Sequence, residues 1–393
     1  MALDLSKIVS QVTAMAARLR ADSRQRQERL DRALEVVGWQ DDIGWLRDKI
    51  NASRTTWLVA GLVDGLDRHY PVSPVPADFT VIASDGSHID VDRHRSTRCY
   101  LINIGSVTLH YGTSPGAVLN SLPRLYVGDE DLVIASPQQR GREQPIEGAL
   151  LGIKRSVDEC RHLAELAASL PAGSPTLALL DGSLILWNLE AYAEFVTEEL
   201  LDKGFLPCLE ELRKRGQLAL ASYISYPRST DVVNALRVAV CQMEAVDSDR
   251  CPECTTRECE AIAGVRDREL FAGLLGTGER SAIFISSSKI QQRYGAHQVY
   301  FFYLNVDDEI ARVEVPKWVA DNEDLLSLAH SLVLDQCRRG HGYPVALSEA
   351  HEKAVVTGAD AENFWRLVES SMVEEHLPFT GSAKNRSKRT RWV

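Results

Sequence analysis

The sequence predicts an α/β protein, a mixed β-sheet flanked by helices and preceded by an N-terminal helical arm. Three observations carry this reading. Two aliphatic runs, Val81–Ile89 (V-I-A-S-D-G-S-H-I) and Leu177–Ile185 (L-A-L-L-D-G-S-L-I), each break off at Asp-Gly-Ser, the pattern of a buried core strand closed by a glycine turn. Cys99–Tyr111 and Leu125–Ala135 read as further extended segments. Between these and the second Asp-Gly-Ser, Leu150, Ile153, Val157, Cys160, Leu163 and Leu166 form one helical stripe over about Ile146 to Leu170.

In chain order, residues 4–70 read as helical, with Leu5, Ile8, Val9, Val12, Met15 and Leu19 at helical spacing and a charged stretch from Arg18 to Arg32. The prolines of Pro71–Ala77 end this arm. A domain over residues 78–380 follows, with a cysteine-rich insertion at 241–260 and a basic tail at 381–393. Beyond the second Asp-Gly-Ser the pattern predicts a helix over Leu189–Arg215, a strand at Leu218–Ile224 and a helix over Asp231–Cys241. Strands at Ala282–Ser286, Val299–Leu304 and Ala311–Val315 come next, then helices near Asp321–Arg338 and Glu349–Leu367.

Composition sets the class. With 45% hydrophobic and 25% charged residues in a chain of 393, a sizeable core is available. No apolar run has the length of a membrane span and no secretory leader is evident, so a cytoplasmic protein is expected. A net charge of −11 argues against indiscriminate nucleic-acid binding, although it leaves room for a local basic channel.

The element order is strand with Asp85, two more strands, helix with glutamates, strand with Asp181. An RNase H-like fold brings its acidic residues together in this order. Such a site needs carboxylates because phosphodiester hydrolysis is assisted by divalent cations, and hard cations take oxygen ligands. A single Asp-Gly-Ser ordinarily shapes a turn; two on matching runs point to a site. The helix glutamate is Glu147, Glu159 or Glu165.

The segment Gly342–His351 (G-Y-P-V-A-L-S-E-A-H) resembles the closing motif of the NurA nucleases. So, in order, do Val81–Ile89, Leu177–Ile185, Ala221–Pro227 and Ile285–Lys289. The resemblance covers most of residues 78–370. It implies an RNase H-like, metal-dependent deoxyribonuclease that processes DNA ends in repair. Asp85, Asp181 and His351 would be metal ligands, and Tyr343 would lie at the active centre. Arg155-Ser-Val-Asp-Glu159 fits the family's helix motif best, which makes Glu159 the remaining catalytic carboxylate and metal ligand. The resemblance further implies Mn²⁺ (or Mg²⁺), 5′-to-3′ exonuclease activity with single-strand endonuclease activity, a homodimer, and a HerA-like hexameric helicase as partner. Lys289 is either a phosphate contact or a surface lysine. The alternatives are a non-catalytic relative that bridges a helicase to DNA, and a haloacid-type phosphatase. The second wants an Asp two residues after the first, where this chain has Ser87.

Four of the eight cysteines crowd into Cys241, Cys251, Cys254 and Cys259. Cys251-Pro-Glu-Cys254 has the form of half a zinc knuckle, and four thiolates suffice for a closed tetrahedral site. An iron–sulfur cluster would use the same ligands, and incidental loop cysteines are the plain alternative. The tail carries Lys384, Arg386, Lys388, Arg389 and Arg391 ahead of Trp392, either to track phosphates or simply solvated.

Overall fold

The computed structural model describes residues 4–39, 42–92, 97–171, 173–307 and 309–377, so the basic tail lies outside the described residues. The chain divides into two units, one of Met1–Val72, Ser225–Lys289 and Tyr300–Val313, the other of Ser73–Ile224, Ile290–Val299 and Glu314–Val393.

In the first unit the N-terminal helical arm packs into a core shared with later segments. Its long helix Val9–Gly38 buries Ala33, Val36 and Val37 in one core with Val232, Leu236, Leu270, Phe271 and Tyr303. Helix also stops at Ala52; Gly61–Leu62 and His69–Tyr70 are short strands paired with Phe284–Ile285 and Arg280–Ser281. The first 70 residues have too few apolar side chains to close a core alone, so they share one with segments more than 150 positions away. At the other end of the long helix, Leu5, Val9, Val12, Met15 and Leu19 stay exposed.

The second unit holds both Asp-Gly-Ser segments. We label its principal strands β1 (Phe79–Ile89), β2 (Tyr100–Tyr111), β3 (Gly116–Tyr126), β4 (Thr176–Asp181) and β5 (Leu218–Ile224). Its principal helices are α1 (Ala149–Ser169), α2 (Glu323–Arg339), α3 (Val345–Ala354) and α4 (Gly358–Glu374). The strands run in the order β3-β2-β1-β4-β5. β1, β2 and β3 form an antiparallel meander, whereas β4 and β5 run parallel to β1. This is the RNase H-like mixed sheet that the sequence predicts. α1 covers one face, where Leu150, Leu151, Val157 and Leu163 pack with Ile82, Ala178 and Leu220. α2 and α3 cover the other. No helix among the described residues is long and apolar enough to cross a membrane.

Four local expectations change. β1 does not end at its Asp-Gly-Ser: it runs on to Ile89, because β2 pairs with it throughout, from Phe79↔Tyr111 to Ile89↔Leu101. The third strand is β3, not Leu125–Ala135. Its residues are almost all exposed, so the alternation that marks a half-buried strand is missing. Of the expected helix Leu189–Arg215, Leu189–Ala191 is a 3₁₀ turn and Glu194–Arg213 is continuous, with a π-helical stretch, Glu198–Phe205, just before Pro207, which has no N–H to continue the ladder. The final helix is two, α3 and α4, the second begun by a capping box between Thr357 and Asp360.

Candidate active site

The parallel pairing of β1 with β4 runs from Thr80↔Thr176 to Ser84↔Leu180 and stops. Asp85 and Asp181 are the next residues on the two strands, so the register sets them side by side at the carboxyl end of the parallel pair, where α/β sheets collect ligands. β4 leaves the sheet there: Gly182 takes φ +80, open to glycine, and donates its N–H to Tyr223 O at 3.0 Å.

Successive β1 side chains alternate between faces. Asp85 and Ser87 meet α3, whereas Ser84 and Gly86 meet α1. Ser84 Oγ donates to the Glu159 carbonyl at 2.9 Å, tying α1 to the strand one residue before Asp85. A Cβ on Gly86 would lie 2.6 Å from Glu159 Oε1 and 2.9 Å from Arg155 Cγ. Only glycine admits both side chains here.

Opposite, α3 rests directly on β2. A Cβ on Gly105 would lie 2.1 Å from the Ala350 carbonyl oxygen and 2.4 Å from the Ala354 nitrogen. The last carbonyls of α3, left open as in any helix end, are taken by Asn103 Nδ2, which donates to Lys353 O at 3.0 Å and Ala354 O at 2.8 Å. Ser87 Oγ also donates to Ala354 O. So seated, α3 brings His351 Nδ1 to 2.7 Å from Asp85 Oδ2, while the ring stays open to solvent. The turn between α2 and α3 presents Tyr343, whose hydroxyl donates to Asp181 Oδ1 at 2.9 Å and whose ring meets Tyr223 edge-on.

Glu159 completes the group. It is 7% exposed, and burial raises its carboxyl to about 7, with Arg155 opposing and the charges of Asp85 and Asp181 adding to the rise. Those two charges act on Glu159 because the three carboxylates stand near one another. Arg155 Nε is 3.0 Å from Glu159 Oε1, yet misaligned, so that both atoms lack a hydrogen bond. Asp181 is exposed by surface area. Even so, the protein packed around it and the Asp85 charge raise its carboxyl, with the Tyr343 hydroxyl pulling the other way. Burial and Asp181 together push the Tyr343 phenol far above its usual range.

The structure thus brings together Asp85, Glu159, Asp181, Tyr343 and His351. It separates the two rival glutamates from them. Glu147 precedes α1, and Glu165, on the solvent side of the helix, pairs with His162 at 3.2 Å. Lys289 is exposed and belongs to the other unit. Sequence reasoning passed over the supports, Ser84, Ser87, Asn103 and Gly105. The one signal for them was a glycine inside an otherwise apolar strand.

Among the described residues, no three His, Cys, Asp or Glu side chains are already arranged to hold a metal ion; Asp85 and Asp181 are turned to His351 and Tyr343. The donor chemistry nonetheless fits a hard divalent cation, with three carboxylates, one carrying a buried oxygen that no donor satisfies.

The sequence matches the family model for the NurA domain over residues 79–356. No curated protein matches it. Its structure is similar to that of the NurA nuclease from Sulfolobus solfataricus, with a TM-score of 0.52 at 12% identity, covering 95% of this chain and 98% of that chain.

Proposed function

The chain belongs to the NurA family, and from that premise we propose that it is a metal-dependent deoxyribonuclease acting on DNA ends. The observation that carries the reading is the convergence of Asp85, Glu159 and Asp181 at one sheet edge, with an unsatisfied Glu159 oxygen between helix and strand. A buried carboxylate raised to about 7 beside two other carboxylates is the kind of group that collects at catalytic sites and favours the nuclease over a non-catalytic bridging protein.

Asp85, Glu159, Asp181 and His351 would hold the cation, Mn²⁺ or Mg²⁺. When bound, the ion supplies positive charge against the oxygens of the scissile phosphate. The other roles belong to the chain. Tyr343 orients Asp181 through its hydroxyl. With His351 Nδ1 donating to Asp85, Nε2, on a ring open to solvent, is the nitrogen that would face the cation. Arg155 offsets the charge of Glu159 and adds a cation beside the path of a polyanion. The same proposal takes in 5′-to-3′ exonuclease with single-strand endonuclease activity, a homodimer, a cytoplasmic setting and a HerA-like helicase partner.

The test is cleavage of end-labelled duplex and single-stranded DNA with Mn²⁺, Mg²⁺ or chelator. Metal-dependent release of nucleotides from ends, lost in Asp85→Asn, is expected. Equal cleavage by wild type and Asp85→Asn would defeat the assignment.

A further inference from the structure

From Cys241 to Ala261 the first unit has one buried side chain, Val246. Its regular structure there is two 3₁₀ segments, Ser248–Glu253 and Glu258–Ala261. A stretch this long without a core of its own is uncommon unless something other than apolar packing holds it. The anchors present are polar and sit at its start. Arg54 N donates to Val246 O at 2.7 Å, Ser248 N to Arg54 O at 3.0 Å, and Lys49 Nζ to Cys241 O at 2.5 Å. Among the described residues, 249–257 hydrogen-bond only within the segment, and this stretch contains Cys251 and Cys254.

We propose that Cys241, Cys251, Cys254 and Cys259 bind one structural zinc ion that clamps this segment to the helices beneath it. The Cys251-Pro-Glu-Cys254 turn is closed by Cys254 N donating to Cys251 O at 3.1 Å. Arg257, in the left-handed region at φ 47, donates its N–H to Cys254 Sγ at 3.5 Å. A backbone N–H aimed at sulfur stabilises a thiolate. Gln242 Nε2 donates to Glu258 Oε1 at 3.0 Å, which draws together the positions next to Cys241 and Cys259. Four thiolates on Zn²⁺ leave a net charge of −2, about what two nearby cations offset. Lys49 faces Cys241 and Arg237 faces Cys259. Among the described residues no three of these thiols are arranged to hold a metal; bringing them together means turning side chains of a segment with one buried side chain. Zinc fits better than an iron–sulfur cluster because C-x₉-C-x₂-C-x₄-C matches neither common cluster spacing.

The experiment uses full-length protein prepared anaerobically. Elemental analysis is expected to find about one zinc per chain, retained in Asp85→Asn and lost in Cys251→Ser/Cys254→Ser. Adding Co²⁺ alone to metal-stripped wild type is expected to give thiolate-to-cobalt charge transfer and the intense visible bands of a tetrahedral site. The cobalt spectrum keeps the test decisive even if the double variant fails to fold. Absence of the charge-transfer band, zinc that survives the double substitution, or an iron–sulfur chromophore would each overturn the proposal.

Discussion

Glu159→Gln isolates the buried carboxylate. In the unfolded chain Glu159 ionises near its ordinary value of 4.5, whereas in the fold it holds its proton to about 7. Below pH 4.5 both states are protonated and the group leaves stability unchanged. As pH rises from 4.5 to 7 the unfolded chain alone gains by releasing the proton, so the fold loses stability. Above pH 7 the loss levels off at about 3 kcal/mol. Glutamine does not titrate. Burying its amide costs about 1–3 kcal/mol, and that cost does not change across this range. Urea unfolding in chelator between about pH 4 and pH 8 is therefore expected to show the Glu159→Gln variant gaining about 3 kcal/mol on the wild type as pH rises, while cleavage is lost. Other buried acids, such as Asp267 at about 6, are common to both proteins and cancel. A stability difference that stays flat across this pH range would refute the reasoning.

Asp85→Asn and Asp181→Asn should each reduce cleavage at least about 100-fold, as loss of a metal-site carboxylate does, with unchanged or slightly higher melting temperature in chelator because like-charge repulsion is relieved. Gly86→Ala places a methyl within 2.6 Å of Glu159 Oε1; displacement of that carboxylate should cost about 100-fold in rate with the fold retained, checked by activity alongside circular dichroism. Gly105→Ala meets helix backbone, not a movable side chain, and should destabilise by about 3 kcal/mol or more in chemical denaturation. Stimulation of cleavage by a HerA-like helicase should fall when Val9 and Val12, both exposed, become Asp.

What was legible in the sequence was whatever local pattern dictates. The strand at Leu218–Ile224 and the stripe of α1 follow from runs and periods that tertiary contacts reinforce. The two aspartates were marked by the glycines after them. Yet Gly86 serves close packing against Glu159 while Gly182 serves a turn, and identical tripeptides cannot distinguish these uses. Residue type and helical period left Glu147, Glu159 and Glu165 equivalent, and the Arg155-to-Glu159 motif alone favoured one. Glu159 is selected by facing a strand position with no side chain, a pairing between residues more than 70 positions apart. The merger of the N-terminal helices with Ser225–Lys289 was hidden for the same reason, since it depends on long-range contacts between apolar faces that many partners would satisfy.

The end of the β1–β4 pairing gives the two aspartates unequal compliance. Asp85 sits on an anvil, because its strand keeps full pairing with β2 out to Ile89. Asp181 is the last rung of its strand, followed at once by a glycine in the left-handed region and held from the front by a single phenol. An enzyme that works along a polymer must grip and release many times in succession. On the proposed function, Asp181 would be the side that yields while the Asp85 side stays fixed, so each new phosphate would meet the same reference surface.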